Sequence, residues 1–408
     1  MANVELIPHL FRTEYRKIVS VLCKRFGFDQ METAEDIASD TFLTATQTWG
    51  LEGTPPNPTA WLYAVAKNKA KNHLQRHELF ESKISPQLKA TPTVHEPDLD
   101  LSPQNINDSQ LQMMFALCHP VIPAEAQVGL ALRILCGFGI EEIADAFLTQ
   151  KETINKRLLR AKEKLRDEKI DIVMPDPAQI DVRLDPVLTT LYLVFNEGYY
   201  SVSSNNTLRK DLCLEAMRLC TMLVENKATN KPRVNALLAL MCFHASRFDA
   251  RLNTRGELVL YDAQDTNLWN TDLISKGGYF LHCAATGTTL SKYHLEAGIA
   301  YWNTQHQDTR EKWESMLQLY NQLLQIEYTP IAALNRTYAL WKANGKAQAI
   351  REAEKLKLTS NHFYYALLGD LYTNIDNGKA KQHFEEALML ARTETDKQAL
   401  RKKLDLLS

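Results

Sequence analysis

The chain has 408 residues and a formal net charge of −2, so any surface that binds a polyanion must be a local feature. Its hydrophobic fraction of 45% is ordinary for a folded protein, and its length allows two or three domains. The sequence contains no run of about 18 apolar residues that would predict a membrane span. Charges scattered through the first segment argue against a signal peptide. We therefore expect a cytoplasmic protein that does not enter a membrane.

Seven cysteines are spread along the chain without a Cys-x-x-Cys pair. This pattern predicts free, mostly buried thiols in a reducing compartment. Cys118 and His119 are adjacent, but without a second pair of ligands we expect no metal site. We expect no cofactor and no enzymatic activity, because the sequence lacks a phosphate loop, a nucleophile–base spacing and a His-Glu-x-x-His motif.

Three helices are predicted in the first 80 residues. The first covers about residues 5–28 and should end at Gly27, and the second covers about residues 33–49 with acidic residues near its start. A loop with three prolines follows, and the third helix should begin with Asn57 as N-cap and Pro58 in its first turn.

The third predicted helix changes composition along its length. Its first half is aromatic and apolar, with Trp61 and Tyr63, and its second half carries Lys67, Lys71 and Arg76. Aromatic rings beside cations suit single-stranded DNA, because bases stack on the rings while cations hold the phosphates. The alternative is that the aromatic residues belong to the core and the lysines form a solvated face.

Residues 81–109 are predicted to be a linker, since four prolines and several acidic residues replace the apolar pattern. A new helical pattern begins at Leu111 and continues to a pair of short helices between Gly139 and Arg166. The second of these has a stripe at Ile154, Leu158, Ala161 and Leu165.

The second helix of this pair has the features of a DNA-reading helix. Thr149 and Glu152 have the spacing of a capping box, which would leave Gln150 and Lys151 in an exposed first turn. Residues 150–166 contain seven basic and two acidic side chains, a net charge of +5. A helix-turn-helix protein uses such positions to reach base edges in the major groove. The alternative is an ordinary amphipathic pair with a solvated basic face.

These motifs, in this order, resemble a bacterial RNA polymerase sigma factor of the extracytoplasmic-function (ECF) type in the sigma-70 family. The resemblance rests on Ala34-Glu35-Asp36 followed by Thr41-Phe42, on the helix of residues 57–70, on the linker and on the terminal helix pair. It covers about residues 1–80 and 110–168. Many relatives have aspartate at the position of Asn72 and glycine at that of Leu148, and the first difference leaves the −10 sequence preference open.

The resemblance implies an all-α fold and binding to core RNA polymerase and promoter DNA. It implies sigma region 2 at residues 1–80, a linker at 81–109, region 4 at 110–170 and a helical extension at 171–408. The implied polymerase-binding residues are Asp36, Asp40 and Phe42. The implied −10 residues are Trp61, Tyr63, Lys67, Asn68, Lys71, Asn72 and Arg76. The implied −35 residues are Gln150, Lys151, Thr153, Asn155, Lys156, Arg157, Arg160 and Lys162.

The extension is predicted to be helical, with a possible extended segment within residues 252–271. Near its end, Asn344-Gly345-Lys346-Ala347 recurs 33 residues later as Asn377-Gly378-Lys379-Ala380. This period resembles tetratricopeptide (TPR) helix pairs, over about residues 330–408, which bind proteins or peptides on concave surfaces. The whole chain resembles the ECF subgroup with a TPR-like extension, which implies that the extension regulates the sigma domains.

Polar residues in the otherwise apolar motifs of the extension allow two interpretations. They could form a ligand site, or they could form a buried network that holds the helices or a face that docks on the sigma domains. These residues are Asn196, Glu197, Tyr199, Arg247, Arg251, Asp262, Asp265 and Trp269.

Two other functions remain open for the whole chain. It could be a helix-turn-helix regulator with a TPR partner-sensing domain that binds duplex DNA without polymerase. It could also be an interaction scaffold that has lost DNA binding. The aromatic and basic helix joined to an acidic helix favours the sigma factor, because a simple repressor needs neither.

Overall fold

The computed structural model describes residues 3–84, 99–147, 149–200, 209–251, 253, 259, 261–305, 307–391 and 394–407. These residues form eighteen α-helices joined by turns and short 3₁₀ or π-helical segments, with no β-strand among them. The prediction of an all-α protein is confirmed. Within the described residues, no helix is both long enough and apolar enough to span a bilayer.

The first three helices are α1 (Asn3–Phe26), α2 (Met31–Glu52) and α3 (Pro58–Ile84). The break after α1 occurs at Gly27, whose φ of 76° is the left-handed conformation that glycine adopts without a steric penalty. The Asn57 side chain accepts a hydrogen bond from the Ala60 N–H at 3.0 Å and caps α3 as predicted. Ile18, Leu22 and Leu62 are fully buried between these helices.

The next four helices are α4 (Pro103–Leu117), α5 (Ala124–Leu130), α6 (Ile140–Ala146) and α7 (Lys151–Asp167). A π-helical turn, Ala131–Leu135, extends α5. Helix α4 begins earlier than the predicted Leu111, because Ser102 caps it by accepting from the Asn105 N–H and Pro103 fits its first turn. About half of the predicted linker, residues 85–98, lies outside the described residues.

The predicted capping box at the start of α7 is wrong. Gln150 is the N-cap of α7, with an extended backbone and no side-chain cap bond, so Thr149 lies one residue too early. The equivalent interaction occurs at α6, where the Gly139 N–H donates to the Glu142 carboxylate at 2.6 Å. Gln150 and Lys151 are nevertheless exposed, as the sequence predicted.

The described chain divides into two compact units. The first contains residues 1–204 and 214–229, and the second contains residues 205–213 and 230–408. Helix α8 (Ile180–Tyr200) and most of α9 (Lys210–Glu225) therefore belong to the unit that holds α1–α7. In this unit the apolar sides of α4, α5 and α8 pack together, and Leu184, Leu188 and Val194 are fully buried.

The second unit is a series of helices, most of which pack against their neighbours in the chain. Its helices are α10 (Pro232–Ala245), α11 (Thr271–Ala284), α12 (Lys292–Trp302), α13 (Arg310–Ile326), α14 (Pro330–Asn344), α15 (Lys346–Leu356), α16 (His362–Tyr372), α17 (Asn377–Leu390) and α18 (Glu394–Asp405). The repeated motif lies at a helix start each time, since Lys346 begins α15 and Asn377 begins α17. Part of the possible extended segment lies outside the described residues, and two short 3₁₀ turns, Tyr261–Ala263 and Thr266–Leu268, occupy its later part.

Small residues allow the helices of the second unit to approach closely. A Cβ added to Gly369 of α16 would lie 2.5 Å from the Phe384 ring of α17, and one added to Gly277 of α11 would lie 2.6 Å from the Phe243 ring of α10. Both rings are 1% exposed and cannot move aside. The neighbouring Gly278 faces open space.

This pair of glycines gives a test of the packing. We expect Gly277→Ala to destabilise the protein by about 1–3 kcal/mol, because the methyl group overpacks the buried Phe243 ring. Gly278→Ala is the matched control in the same helix and should be neutral or stabilise by up to about 1 kcal/mol through helix propensity. Urea unfolding followed by circular dichroism measures both, and equal effects of the two variants would contradict the packing at α10 and α11.

Candidate nucleic-acid interface

Helix α3 presents polar and basic side chains on its outer side. Ala66 and Ala70 are buried against the neighbouring helices, which turns the opposite face of α3 to solvent. The predicted −10 residues Asn68, Lys71, Asn72 and Arg76 are exposed on this face, and Lys67 is partly buried. One helix therefore brings the cations and amides together on one accessible surface.

The two aromatic residues predicted for DNA opening are anchored by the core. Trp61 packs edge-on against Trp49, with ring centroids 5.3 Å apart. The Tyr63 hydroxyl donates to the Glu14 carboxylate at 2.5 Å, and burial together with this hydrogen bond raises the pKa of Tyr63 above its usual value. Both rings are held rigidly and keep part of their surface exposed.

The predicted polymerase-binding residues of α2 differ in accessibility. Asp36 is exposed, and the exposed Asp40 carboxylate accepts from Lys69 Nζ at 2.5 Å. Phe42 is only 4% exposed and packs edge-on against Phe11, with ring centroids 5.1 Å apart. The prediction that Phe42 forms part of a docking surface is therefore corrected, since its side chain supports α2 from inside.

Helix α7 separates its apolar and basic sides as predicted. Ile154, Leu158, Ala161 and Leu165 are all buried. The opposite side of α7 exposes most of the predicted −35 residues, which are Gln150, Lys151, Thr153, Asn155, Lys156 and Arg160, while Arg157 and Lys162 are partly buried. Leu148, in the turn before this helix, lies outside the described residues.

Two of the basic residues on α7 form ion pairs within the protein. Lys151 Nζ donates to Glu141 at 2.5 Å, and both side chains are largely exposed, so this pair contributes little to stability. Lys162 Nζ donates to Glu35 Oε2 at 2.5 Å, and here both side chains are mostly buried, 17% and 12% exposed. Unlike the exposed −35 residues, Lys162 therefore has its ammonium group held in a mostly buried ion pair.

Glu35 joins α2 to the helices that follow the linker. Its other carboxylate oxygen accepts from Arg133 Nε at 3.2 Å, and Arg133 also donates to the carbonyl oxygen of Phe138 at 3.2 Å. Glu35 thus bridges Arg133 of the π-helical turn and Lys162 of α7. The sequence pattern placed Glu35 only among the acidic residues near the start of α2 and gave no signal for Arg133, because contacts over 98 and 127 residues leave no local trace.

A cleft of ≈ 480 Å³ lies along this contact. Its wall includes Asp36, a predicted polymerase-binding residue, and Asn155, a predicted −35 residue. Two surfaces that the sequence predicts to bind different partners therefore share one cleft. Leu158 and Leu159 supply the apolar part of its wall.

A second buried ion-pair cluster involves α9. The carboxylate of Glu215 pairs with Arg16 of α1, whose side chain is 8% exposed, and accepts from Arg218 Nε at 2.9 Å. Arg218 also donates to the carbonyl oxygen of Leu135 at 3.0 Å and to the Gln110 side chain at 3.2 Å. Helix α9 is thereby bound to α1, to α4 and to the turn after α5.

The polar motif residues of the extension have several roles. Arg247 lies over the Tyr261 ring, 5.3 Å from its centroid, and lines a cavity of ≈ 270 Å³ that is walled by the aromatic rings of Trp313, Tyr320 and Tyr338. Asp265 caps a 3₁₀ turn, and Tyr199 stacks on Phe195 within the first unit. The side chain of Asp262 lies outside the described residues.

Two family models match the chain. The model of sigma-70 region 2 matches residues 10–79, which include the described faces of α2 and α3. The model of a family of unknown function, DUF6596, matches residues 183–285, which include most of α8 and all of α9, α10 and α11.

An uncharacterized protein from Rhizobium meliloti (strain 1021) is similar over nearly the whole chain. It is 29% identical over 387 residues, which cover 93% of this chain and 91% of the relative. No solved structure matches. A match to sigma-70 region 2 followed by a match to DUF6596 fits an ECF-type sigma-70 factor with a C-terminal extension.

Proposed function

We propose that this protein is an ECF sigma factor that directs core RNA polymerase to specific promoters and is regulated by its own C-terminal part. One observation carries the proposal: a sigma-70 region 2 domain precedes a second exposed basic helix, α7, in the same chain. We assign α4–α7 to region 4 and α6–α7 to its helix-turn-helix. The proposal places the protein in the cytoplasm, where core polymerase acts.

The −10 element would be held by α3. Separating the strands and unstacking a base costs a few kcal/mol, so an opened promoter needs groups that hold the single strand. The exposed cations Lys71 and Arg76 would bind phosphates, while the amides of Asn68 and Asn72 would contact base edges. Trp61 and Tyr63 are fixed by Trp49 and Glu14, so their exposed edges would act as rigid stacking surfaces.

The −35 element would be read by α7 in the major groove. Gln150 and Asn155 have side chains that can pair with adenine, and Lys156, Arg157 and Arg160 would position the helix on phosphates. Each region alone would bind weakly. When both regions are attached to the same polymerase, binding of one DNA element makes binding of the other intramolecular. The second contact then benefits from a high effective concentration.

The extension would regulate these domains through direct packing. Helices α8 and α9 belong to the same compact unit as α1–α7, and the Glu215 cluster contacts both sides of the linker. A change in the position of α9 would therefore be transmitted to α1 and α4. The later TPR-like helix pairs would provide the surface for a regulatory protein or peptide.

The alternative, a helix-turn-helix regulator that acts without polymerase, makes a different prediction for transcription in vitro. Full-length protein and purified core polymerase would be combined on a template that carries the upstream region of the protein's own gene. A run-off transcript that requires both components supports the sigma factor. Duplex binding without polymerase and without a transcript from any tested promoter would support the regulator.

Substitutions on α7 test the proposed reading helix. We expect Arg160→Ala to lower the run-off yield about tenfold, since loss of a cation on the proposed DNA face weakens phosphate binding. Arg166→Ala removes the same type of side chain from the last turn of α7, where it is exposed, and should change the yield less than about twofold. Equal losses in the two variants would contradict the assignment of α7.

The cluster around Glu215 gives a prediction for stability. Glu215→Ala leaves the buried Arg16 guanidinium without its carboxylate, so we expect a loss of about 3–5 kcal/mol in the free energy of unfolding. Glu225→Ala changes an exposed residue of the same helix and should have an effect within about 0.5 kcal/mol. Urea unfolding of the full chain measures both, and a near-neutral Glu215→Ala variant would show that α9 is not held there.

A further inference from the structure

The second unit contains a cavity to which the proposed function gives no role. Its volume is ≈ 270 Å³, and it lies between the 3₁₀ turns at Arg247 and Tyr261 and the helices α13 and α14. Protein interiors are closely packed, and a single water molecule occupies only about 30 Å³. Sites that bind small molecules begin at about 300 Å³, so the cavity has the size of a site for a small ligand.

The cavity has a buried end and an open end. Arg247 and Tyr320 are each 8% exposed and Met316 is 3% exposed, so these side chains form its floor. Asn335 of α14 is exposed and also lines the cavity, which places the mouth beside this residue. A small molecule can therefore enter from solvent and lose most of its surface to the protein.

Hydrogen bonds and ring contacts hold the walls of the cavity in place. Trp313 Nε1 donates to the Asp308 carboxylate, and the Trp313 ring packs edge-on against Tyr338, with ring centroids 5.4 Å apart. The Tyr261 hydroxyl donates to the carbonyl oxygen of Asn303 at 2.9 Å. Because a ligand does not have to order these rings, the entropic cost of binding is low.

The charges around the cavity favour an anion. Among the described residues that line it, Arg247 carries a formal charge and the others are neutral. Lys312, which is 3% exposed, lies against two wall rings, with Nζ 5.8 Å from the centroid of Tyr261 and 5.4 Å from that of Trp313. Burial raises the pKa of Tyr320, so its hydroxyl stays neutral at physiological pH. A carboxylate in the cavity would therefore be attracted by two cations.

We propose that this cavity binds a small aromatic carboxylate, with the carboxylate group on Arg247 and the ring against the aromatic walls. The planar fork of arginine donors fits a carboxylate, and aromatic walls favour a planar ring. The amides of Asn303 and Asn335 can donate to or accept from a further polar substituent. The inference goes beyond the proposed function, and only a role of the ligand as a regulatory signal would rest on it.

The test titrates benzoate and indole-3-acetate into the full-length protein, without polymerase or DNA, and follows binding by saturation-transfer NMR. Both probes should bind with a Kd below about 1 mM, since the site is rigid and encloses most of a small ligand. Benzamide keeps the ring without the charge, and acetate keeps the charge without the ring. Each should bind at least about tenfold more weakly than benzoate, because each lacks one of the two interactions.

Two substitutions locate the binding in the cavity. Arg247→Gln removes the cation and should weaken benzoate binding about tenfold or more. Asn335→Trp should fill the mouth with the same effect, and it changes an exposed residue, so this variant keeps the test decisive if Arg247→Gln does not fold. Arg351→Gln makes the same charge change at an exposed position of α15 and should change the affinity less than about twofold. Circular dichroism establishes which variants are folded.

Each outcome decides for or against the site. Binding of the two aromatic carboxylates that is weakened in Asn335→Trp and retained in Arg351→Gln supports it. No binding to the unsubstituted protein at about 10 mM of either probe overturns it. Benzamide binding as tight as that of benzoate, or benzoate binding unchanged in folded Asn335→Trp, also overturns it. None of these results bears on the sigma-factor assignment, which the run-off assay tests without any such ligand.

Discussion

A single buried carboxylate, that of Glu35, joins the first three helices to α7. Its two oxygens receive a guanidinium and an ammonium from helices that lie more than 90 residues further along the chain. Charges can be buried only when they are paired, so this contact fixes the mutual position of α2 and α7 within the first compact unit. With this contact formed, the basic side of α7 stays largely exposed, and Lys162 is held against α2.

The extension supports the same unit through another buried ion pair. Glu215 and Arg218 of α9 bind α1, α4 and the turn after α5, and α8 contributes fully buried leucines to the shared core. The helices after the predicted end of region 4 are therefore part of the fold of the N-terminal unit. A version of the protein that ends near Lys169 would lose these helices and expose apolar surface, so the full chain is the proper object for functional tests.

The sequence was sufficient for features that depend on local patterns. It predicted the all-α fold, the break at Gly27, the cap at Asn57, the buried stripe of α7 and the buried state of six of the seven cysteines. Periodicity and capping chemistry act over a few residues, which is why they can be read directly. The start of α4 was misplaced by two helical turns because the cap at Ser102 was not recognised, and the N-cap of α7 was misplaced from Gln150 to its neighbour Thr149.

The candidate site was predictable only in part. The exposed basic side chains of α3 and α7 follow from helical periodicity, and the proposed roles of these residues remain predictions. The resemblance gave Phe42 a surface role that its 4% exposure contradicts. The partners of Lys162, Arg16 and Glu215 arise from tertiary packing and have no sequence signal.

The most direct test of the Glu35 contact is the distance between α2 and α7 in the protein with and without this carboxylate. Spin labels at Gln47→Cys and Arg166→Cys, in a Cys283→Ser background that leaves only buried native thiols, would report this distance by pulsed electron paramagnetic resonance. The account predicts one short, narrow distance in the free protein. In a Glu35→Ala variant it predicts a broader distribution that extends to longer distances, because Arg133 and Lys162 lose their shared carboxylate. A distance that is already long in the unsubstituted protein, or a distribution that Glu35→Ala leaves unchanged, would contradict it.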